Sequence, residues 1–409
     1  MKLSKLSAFF LCVLLTIWGF FFLPGQISYE GSPVIANLPE PKIVIPATSS
    51  LPDAPSVNAK YACVTDAVSG RVLYGKDSKT KAAMASTTKI MTAILVLESE
   101  KQSDIVTASS YAASMPKVHL GMKKGYRYAM KDLLYSLMLE SHNDTAVAIA
   151  EHMAGSVKDF SVLMNKKAQL LGMTSTHFVT PNGLDADGHY STAEDMCRLA
   201  TYAIKNREFC SLIQTKSYRF SDMSQKHSYC LTNRDSFLSY YDGALGIKTG
   251  FTSKAGYCFV GAAQRGNITL TSCVLASGWP PNKTYKWVDT RKLMDYGFAN
   301  FTLTALPVQP LNQANIIVLE GKKETVSLKP ITPPSVLLSR SDEIKVLYDI
   351  PETLYAPIRK ESAIGTVSFY INNKLYKKER VFPSESIEKN NFSDTIEKVL
   401  HIWMEIFGF

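Results

Sequence analysis

Several familiar catalytic signatures are missing from this chain. It has no His-Glu-x-x-His, which excludes the usual zinc-hydrolase helix, and no Gly-x-Ser-x-Gly, which excludes the elbow of Ser-His-Asp hydrolases. Its 7 cysteines include no Cys-x-x-Cys and no histidine at a ligand spacing, so neither a metal site nor a redox motif is expected. The net charge is +9, but no dense Lys/Arg block interleaved with aromatics occurs, so nucleic acid is not an expected partner. A basic protein outside the cell would still be drawn to anionic membrane and wall polymers.

What is present has an ordinary globular balance, with 46% hydrophobic and 20% charged residues over 409 positions, enough for two or three domains with real cores. At the N-terminus, Lys2 and Lys5 precede a run from Ala8 to Leu23 without any charge, which reads as an export signal. The run is long for a signal peptide and slightly short for a spanning helix, and no clear Ala-x-Ala site follows. Residues 1–25 are therefore expected to be a signal peptide or a retained signal anchor, with the bulk of the chain outside the cytoplasm, membrane-associated or secreted. Beyond Cys12, the cysteines are Cys63, Cys197, Cys210, Cys230, Cys258 and Cys273. Cys63, Cys258 and Cys273 lie in apolar, strand-like runs where buried thiols are expected, and one or two disulfides among the six are left open.

Residues 26–58 are proline-rich and read as a linker. Tyr61–Thr65 and Arg71–Gly75 flank Asp66-Ala67-Val68-Ser69-Gly70 as a β-hairpin, and a helix is expected to open at Ser86. Residues 101–205 are mostly helical in pattern, interrupted at Glu140-Ser141-His142-Asn143-Asp144 and at Thr180-Pro181-Asn182-Gly183-Leu184. Strands follow at Thr215–Phe220, Gly246–Phe251, Gly256–Ala263 and Ile268–Ala276, then a helix over Tyr285–Tyr296. The expectation is an α+β domain over 59–303, a small β-rich domain over 304–385 with a turn at Asn372-Asn373, and a C-terminal amphipathic tail over 386–409. That tail is expected either to pack on the β domain or to lie on a membrane.

The chemistry concentrates in Ser86-Thr87-Thr88-Lys89. Residues three apart share a helix face, so the Ser86 hydroxyl and the Lys89 amine meet one turn apart. A lysine deprotonated by desolvation or by a nearby cation can serve as base for the serine. Ser-x-x-Lys also occurs at Ser78/Lys81, Ser114/Lys117 and Ser386/Lys389, so the pattern alone is weak. Two further motifs follow Ser86 in order, Ser141-His142-Asn143 and the single Lys248-Thr249-Gly250, and the ordered set is specific.

With these motifs the chain resembles the serine-type D-alanyl-D-alanine carboxypeptidases, the low-molecular-weight penicillin-binding proteins. The resemblance extends to His177-Phe178-Val179-Thr180-Pro181-Asn182-Gly183-Leu184, His189-Tyr190-Ser191-Thr192-Ala193-Glu194-Asp195-Met196 and Gly246-Ile247-Lys248-Thr249-Gly250-Phe251-Thr252, and covers roughly residues 59–303. It implies a β-lactamase/transpeptidase-like domain, an antiparallel sheet flanked by helices with a helical subdomain, followed by a small all-β domain. It implies export across the bacterial cytoplasmic membrane, and as partners a peptidoglycan stem peptide ending in D-Ala-D-Ala, β-lactams and the cell membrane, with no cofactor and no metal. Ser86 would attack the carbonyl between the two D-alanines, with Lys89 as its base and Ser141 relaying a proton to the leaving amine. Asn143 would hold the substrate backbone. Lys248 and Thr249 would take the terminal carboxylate, and Gly250 would let the strand approach the substrate closely. The N–H groups of Ser86 and Phe251 would form the oxyanion hole, each worth about 3 kcal/mol in comparable enzymes. Lys286 is expected as a further cation for the carboxylate. His142 stands where the family often has glycine and is expected to face solvent; His177 and His189 are expected to be structural.

Three rival readings bear on the same motifs. A class A β-lactamase needs a deacylating glutamate after Ser-x-Asn, and this chain has none between Glu151 and Glu194, so a stable acyl-enzyme with penicillin is expected. A D,D-endopeptidase uses the same nucleophile on cross-links. A non-catalytic wall-binding protein of the same fold would have no need of the full residue set.

Overall fold

The computed structural model describes residue 40 and residues 42–50 and 53–407, so the expected export signal and most of the proline-rich linker lie outside the described residues. The described chain divides into two units, one of Pro46–Leu306 with Pro334–Asp342, the other of Pro307–Pro333, the chain from Glu343 onward and the described residues up to Ile45.

In the first unit, β1 (Tyr61–Asp66) and β2 (Val72–Lys76) form the expected hairpin. Its turn closes because the Asp66 carboxylate accepts the N–H groups of Val68 and Ser69, while Gly70 takes a φ of +73°. With β3 (Ala244–Thr252), β4 (Gly256–Arg265) and β5 (Ile268–Leu275) they build one sheet, ordered β2-β1-β5-β4-β3 and antiparallel throughout. The three central strands, β1, β5 and β4, are buried on both sides. Cys63 shares a core with Cys197 of one helix, whereas Ala62 and Val64 pack with Leu293 and Met294 of another. Alternate strand residues face opposite sides, so the two helices cover opposite faces. β3 is left as an edge.

The nucleophile motif opens as a 3₁₀ turn, Ala85–Thr88, and only then becomes the α-helix α1 (Lys89–Leu97). The threonines explain the difference from a helix starting at Ser86. Thr87 Oγ1 donates to Met84 O at 2.6 Å and Thr88 Oγ1 to Ala85 O at 2.9 Å, and such back-bonding tightens the first turn. Ile90, Met91 and Ile94 have no exposed surface, so α1 runs through the middle of the helical part. Around it stand α2 (Asn143–Ala154) and α3 (Ala193–Ala203), and α4 (Tyr285–Asn300) lies on the far face of the sheet. The stretch expected to be mostly helical also holds a small two-stranded ribbon, Ile105–Thr107 with Arg127–Ala129. All six described cysteines are free thiols, four of them buried.

The second unit is β-rich. Lys42–Ile45, inside the stretch expected as linker, is a strand here: its Ile-Val-Ile run pairs antiparallel with Ile344–Asp349. Gly365–Ile371 and Lys374–Val381 complete that sheet, joined at Asn372 and Asn373, both at positive φ as a two-residue hairpin turn requires. A three-stranded sheet combines Thr325–Ser327, Asn315–Leu319 and Thr353–Tyr355. The chain ends in α5 (Phe392–Phe407), with Phe392, Ile396, Val399, Leu400 and Met404 exposed.

Candidate active site

Ser86 sits where three segments meet. Ala85, just before it, has a φ of +48°, unusual for a residue with a Cβ. Two glycines make the crossing feasible. A Cβ at Gly183 would lie 2.0 Å from the Ala85 carbonyl oxygen, and one at Gly250 would lie 3.0 Å from Ser86 N. Gly250 thus brings its strand against the serine's own backbone, a contact beyond the approach to substrate expected of it.

Lys89 is fully buried one turn on, and its Nζ has three oxygen neighbours: Ser86 Oγ at 2.9 Å, Asn143 Oδ1 at 3.0 Å and Asn182 O at 2.6 Å. Burial holds its pKa well below the usual lysine range, the Lys248 charge adds to this, and Asp144 opposes it. A neutral amine has two N–H groups and one lone pair. Asn143 Oδ1 and the Asn182 carbonyl can only accept, so they take the two N–H groups and the lone pair is left facing the Ser86 hydroxyl.

The second motif follows the π-turn Ser136–Glu140. Ser141 stands at a φ of +69°, and its Oγ is buried without a hydrogen-bond partner. Asn143 is fixed by its N–H to Val118 O at 2.8 Å, and one of its amide hydrogens goes to Pro116 O at 3.2 Å. Beside it, the buried Asp144 carboxylate gathers the N–H groups of Leu120, Gly121 and Met122 at 2.9 to 3.0 Å. His142 does not face solvent as expected. It is buried, its Nδ1 2.8 Å from Ser136 Oγ and its Nε2 3.4 Å from Glu140, which also pairs with Arg234. The π-turn supplies both of these partners, and burial lowers its pKa.

The third motif lies on the edge strand β3. Lys248 and Gly250 share a face by alternation, and Gly250 lies against Ala85 and Ser86, so Lys248 is on the side of the nucleophile. Lys248 is buried, which pushes its pKa down to about 8 against the opposing pull of Asp235. The Ile247 N–H points away from the sheet, to Asp235 Oδ2 at 3.1 Å. In an antiparallel edge strand the N–H direction repeats every second residue, so those of Thr249 and Phe251 point outward too. The Phe251 N–H thus lies on the free edge, as an oxyanion donor requires.

Lys286 does not join this hydrogen-bonded cluster. On α4 its Nζ donates to Lys283 O at 2.8 Å and lies over the rings of Tyr257 and Trp287. Burial pushes its pKa to about 8. The motifs assign no role to Asn182, Asp144 or Asp235, whereas His189 is structural as expected. His189 is buried, its Nδ1 accepts from Val179 N at 2.9 Å, and its Nε2 lies 3.0 Å from Thr88 Oγ1 in the nucleophile turn. The Pro181-Asn182-Gly183 turn was a signal in itself, since an invitation to turn there brings a carbonyl and a Cβ-free backbone beside Ser86 and Lys89.

Comparison with known proteins places the chain in a family. Residues 48–278 match the family model described as D-alanyl-D-alanine carboxypeptidase, and residues 309–389 match the C-terminal domain of penicillin-binding protein 5. The D-alanyl-D-alanine carboxypeptidase DacF of Bacillus subtilis is 30% identical over 353 residues, covering 84% of this chain and 90% of that protein. DacC of Escherichia coli is 32% identical over 374 residues, covering 86% and 90%. The crystal structure of penicillin-binding protein 5 from Haemophilus influenzae superimposes with a TM-score of 0.68 at 27% identity, covering 82% of this chain and 99% of that one. The chain belongs to the D-alanyl-D-alanine carboxypeptidase family.

Proposed function

We propose that this protein removes the terminal D-alanine from peptidoglycan stem peptides through an acyl-enzyme on Ser86. The observation that carries the reading is the buried Lys89 amine 2.9 Å from Ser86 Oγ, with two carbonyl acceptors taking its N–H groups. Lys89 takes the Ser86 proton as Oγ attacks the penultimate D-alanyl carbonyl. The developing oxyanion is held by the N–H groups of Ser86 and Phe251. The unpartnered Ser141 hydroxyl passes a proton to the leaving amine, D-alanine departs, and water then releases the shortened peptide. Lys248 and Thr249 take the terminal carboxylate, and the substrate backbone lies along the free edge of β3, bonded also by the second amide hydrogen of Asn143. β-Lactams acylate the same serine. Lys286 contributes positive charge behind the strand.

The protein acts outside the cytoplasm, exported by its N-terminal segment and associated with the membrane. The exposed apolar residues of α5 suit a membrane surface, although among the described residues no helix is long and apolar enough to cross one.

Ser86→Ala is expected to abolish labelling by a fluorescent penicillin, and persistent labelling would sink the assignment. Mass spectrometry of a pentapeptide stem and of a cross-linked dimer decides the reaction. Loss of one D-alanine from the stem supports the carboxypeptidase, cleavage of the dimer alone marks an endopeptidase, and no change in either marks a binding protein.

A further inference from the structure

Asp235 lies outside all three motifs, yet its carboxylate is built into the strand that carries the third. It is buried at 7% exposure, with Oδ1 accepting from Phe237 N at 2.9 Å and Oδ2 from Ile247 N at 3.1 Å. Ile247 is the residue before Lys248. The strand is shaped to admit this group. Gly246 has a φ of +96°, the pairing with β4 shifts register between Ala244 and Gly246, and a Cβ at Gly246 would lie 3.1 Å from Asp235 Oδ2.

Two backbone N–H groups could be satisfied by a neutral acceptor, so the hydrogen bonds alone do not call for an acid. A buried carboxylate is costly unless cations compensate it. The groups that interact with it are Lys248 from β3, Lys286 from α4 and Tyr240 from its own helical turn. Burial pushes the Asp235 carboxyl up to about 7, against the opposing effects of its two N–H donors and the two lysines. A cation near Lys89 and a buried acid behind it thus form one electrostatic unit at the head of β3.

We propose that Asp235 is a positioning residue for Lys248: it pins the strand edge at Ile247 and supplies the buried negative charge that keeps Lys248 an ammonium for the substrate's terminal carboxylate. The proposal rests on the reading of Lys248 as the carboxylate-binding cation.

The test uses the full chain with Asp235→Asn, and Asp235→Ser as a second variant whose hydroxyl still accepts one of the two N–H donors. Circular dichroism and thermal melting establish that each is folded. The rate of acylation is then followed against pH with benzylpenicillin and with its methyl ester, which lacks the carboxylate. The expected result is an alkaline limb displaced downward by about one pH unit or more for benzylpenicillin, together with a several-fold slower acylation at neutral pH that the methyl ester does not share. An unchanged alkaline limb, or an equal loss with both compounds in a folded variant, overturns the positioning role. Neither outcome touches the Ser86 assignment, whose failure would appear separately as labelling that persists in Ser86→Ala.

Discussion

The carbonyl of Asn182 accepts a hydrogen bond from Lys89 Nζ at 2.6 Å, and the next residue, Gly183, lies so near Ala85 that a Cβ there would stand 2.0 Å from its carbonyl oxygen. One turn therefore holds both the base and the backbone that aims the nucleophile.

Replacing Gly183 by alanine should dislocate this contact. Gly183 has a φ of +81°, so the added methyl group meets rigid backbone and an unfavourable conformation together. A loss of about 2–4 kcal/mol of stability is expected, with slower penicillin labelling in whatever remains folded. Thermal unfolding and labelling rates check this; a variant with unchanged labelling would show that the crossing does not aim Ser86.

The two lysines make the activity depend on pH in opposite senses. Lys89 must be neutral, and burial and the Lys248 charge depress its pKa, so the acid limb falls well below the usual lysine range. Lys248 must be charged, and its pKa is pushed down to about 8, so activity is lost again above that pH. Steady-state rates on a peptide ending in D-Ala-D-Ala across pH 5 to 11, each pH value being about one unit from the next, measure both limbs. A flat profile would count against a neutral-lysine base.

His189 makes the fold acid-sensitive. Its pKa falls from 6.5 to about 4 on burial, so the folded state binds fewer protons than the unfolded one between those values. The stabilisation is present above pH 6.5 and is lost as pH falls toward about 4, amounting to about 3 kcal/mol at the full shift. The melting temperature should drop across that window. In His189→Asn the slope should flatten, and equal slopes for the two proteins would assign the acid loss to other groups.

Asp144 holds the loop that faces Asn143. Its carboxylate gathers three loop N–H groups, so Asp144→Ala leaves all three without their acceptor, the one on buried Met122 included. A destabilisation of about 2–4 kcal/mol is expected, along with slower acylation as Pro116 and Val118 cease to fix Asn143. Denaturant unfolding measures the first effect and labelling the second.

Much of the active site was readable because its chemistry is local. Ser86 and Lys89 lie one helical turn apart, and the hairpin at Asp66–Gly70 follows from its turn residues. The later strands follow from β-branched and apolar runs bounded by glycine and asparagine. Other features were hidden for a physical reason. His142 sits in a polar interruption and reads as exposed, but Ser136 and Glu140 of the π-turn close on it, and Glu140 is itself held by Arg234 from far along the chain. Lys42–Ile45 reads as linker because proline surrounds it, yet an apolar strand needs only an available edge, which Ile344–Asp349 provides.

The sequence by itself determined the identity and order of the three motifs, and with them the family. What the tertiary structure decided is the state of the groups. Lys89 is held toward neutrality by burial and by Lys248, Lys248 is held charged by Asp235, and Ser86 is aimed by glycines from two other segments. Side-chain types are written along the chain, but desolvation and Coulomb interactions depend on distance and burial, and those exist only once the chain has folded.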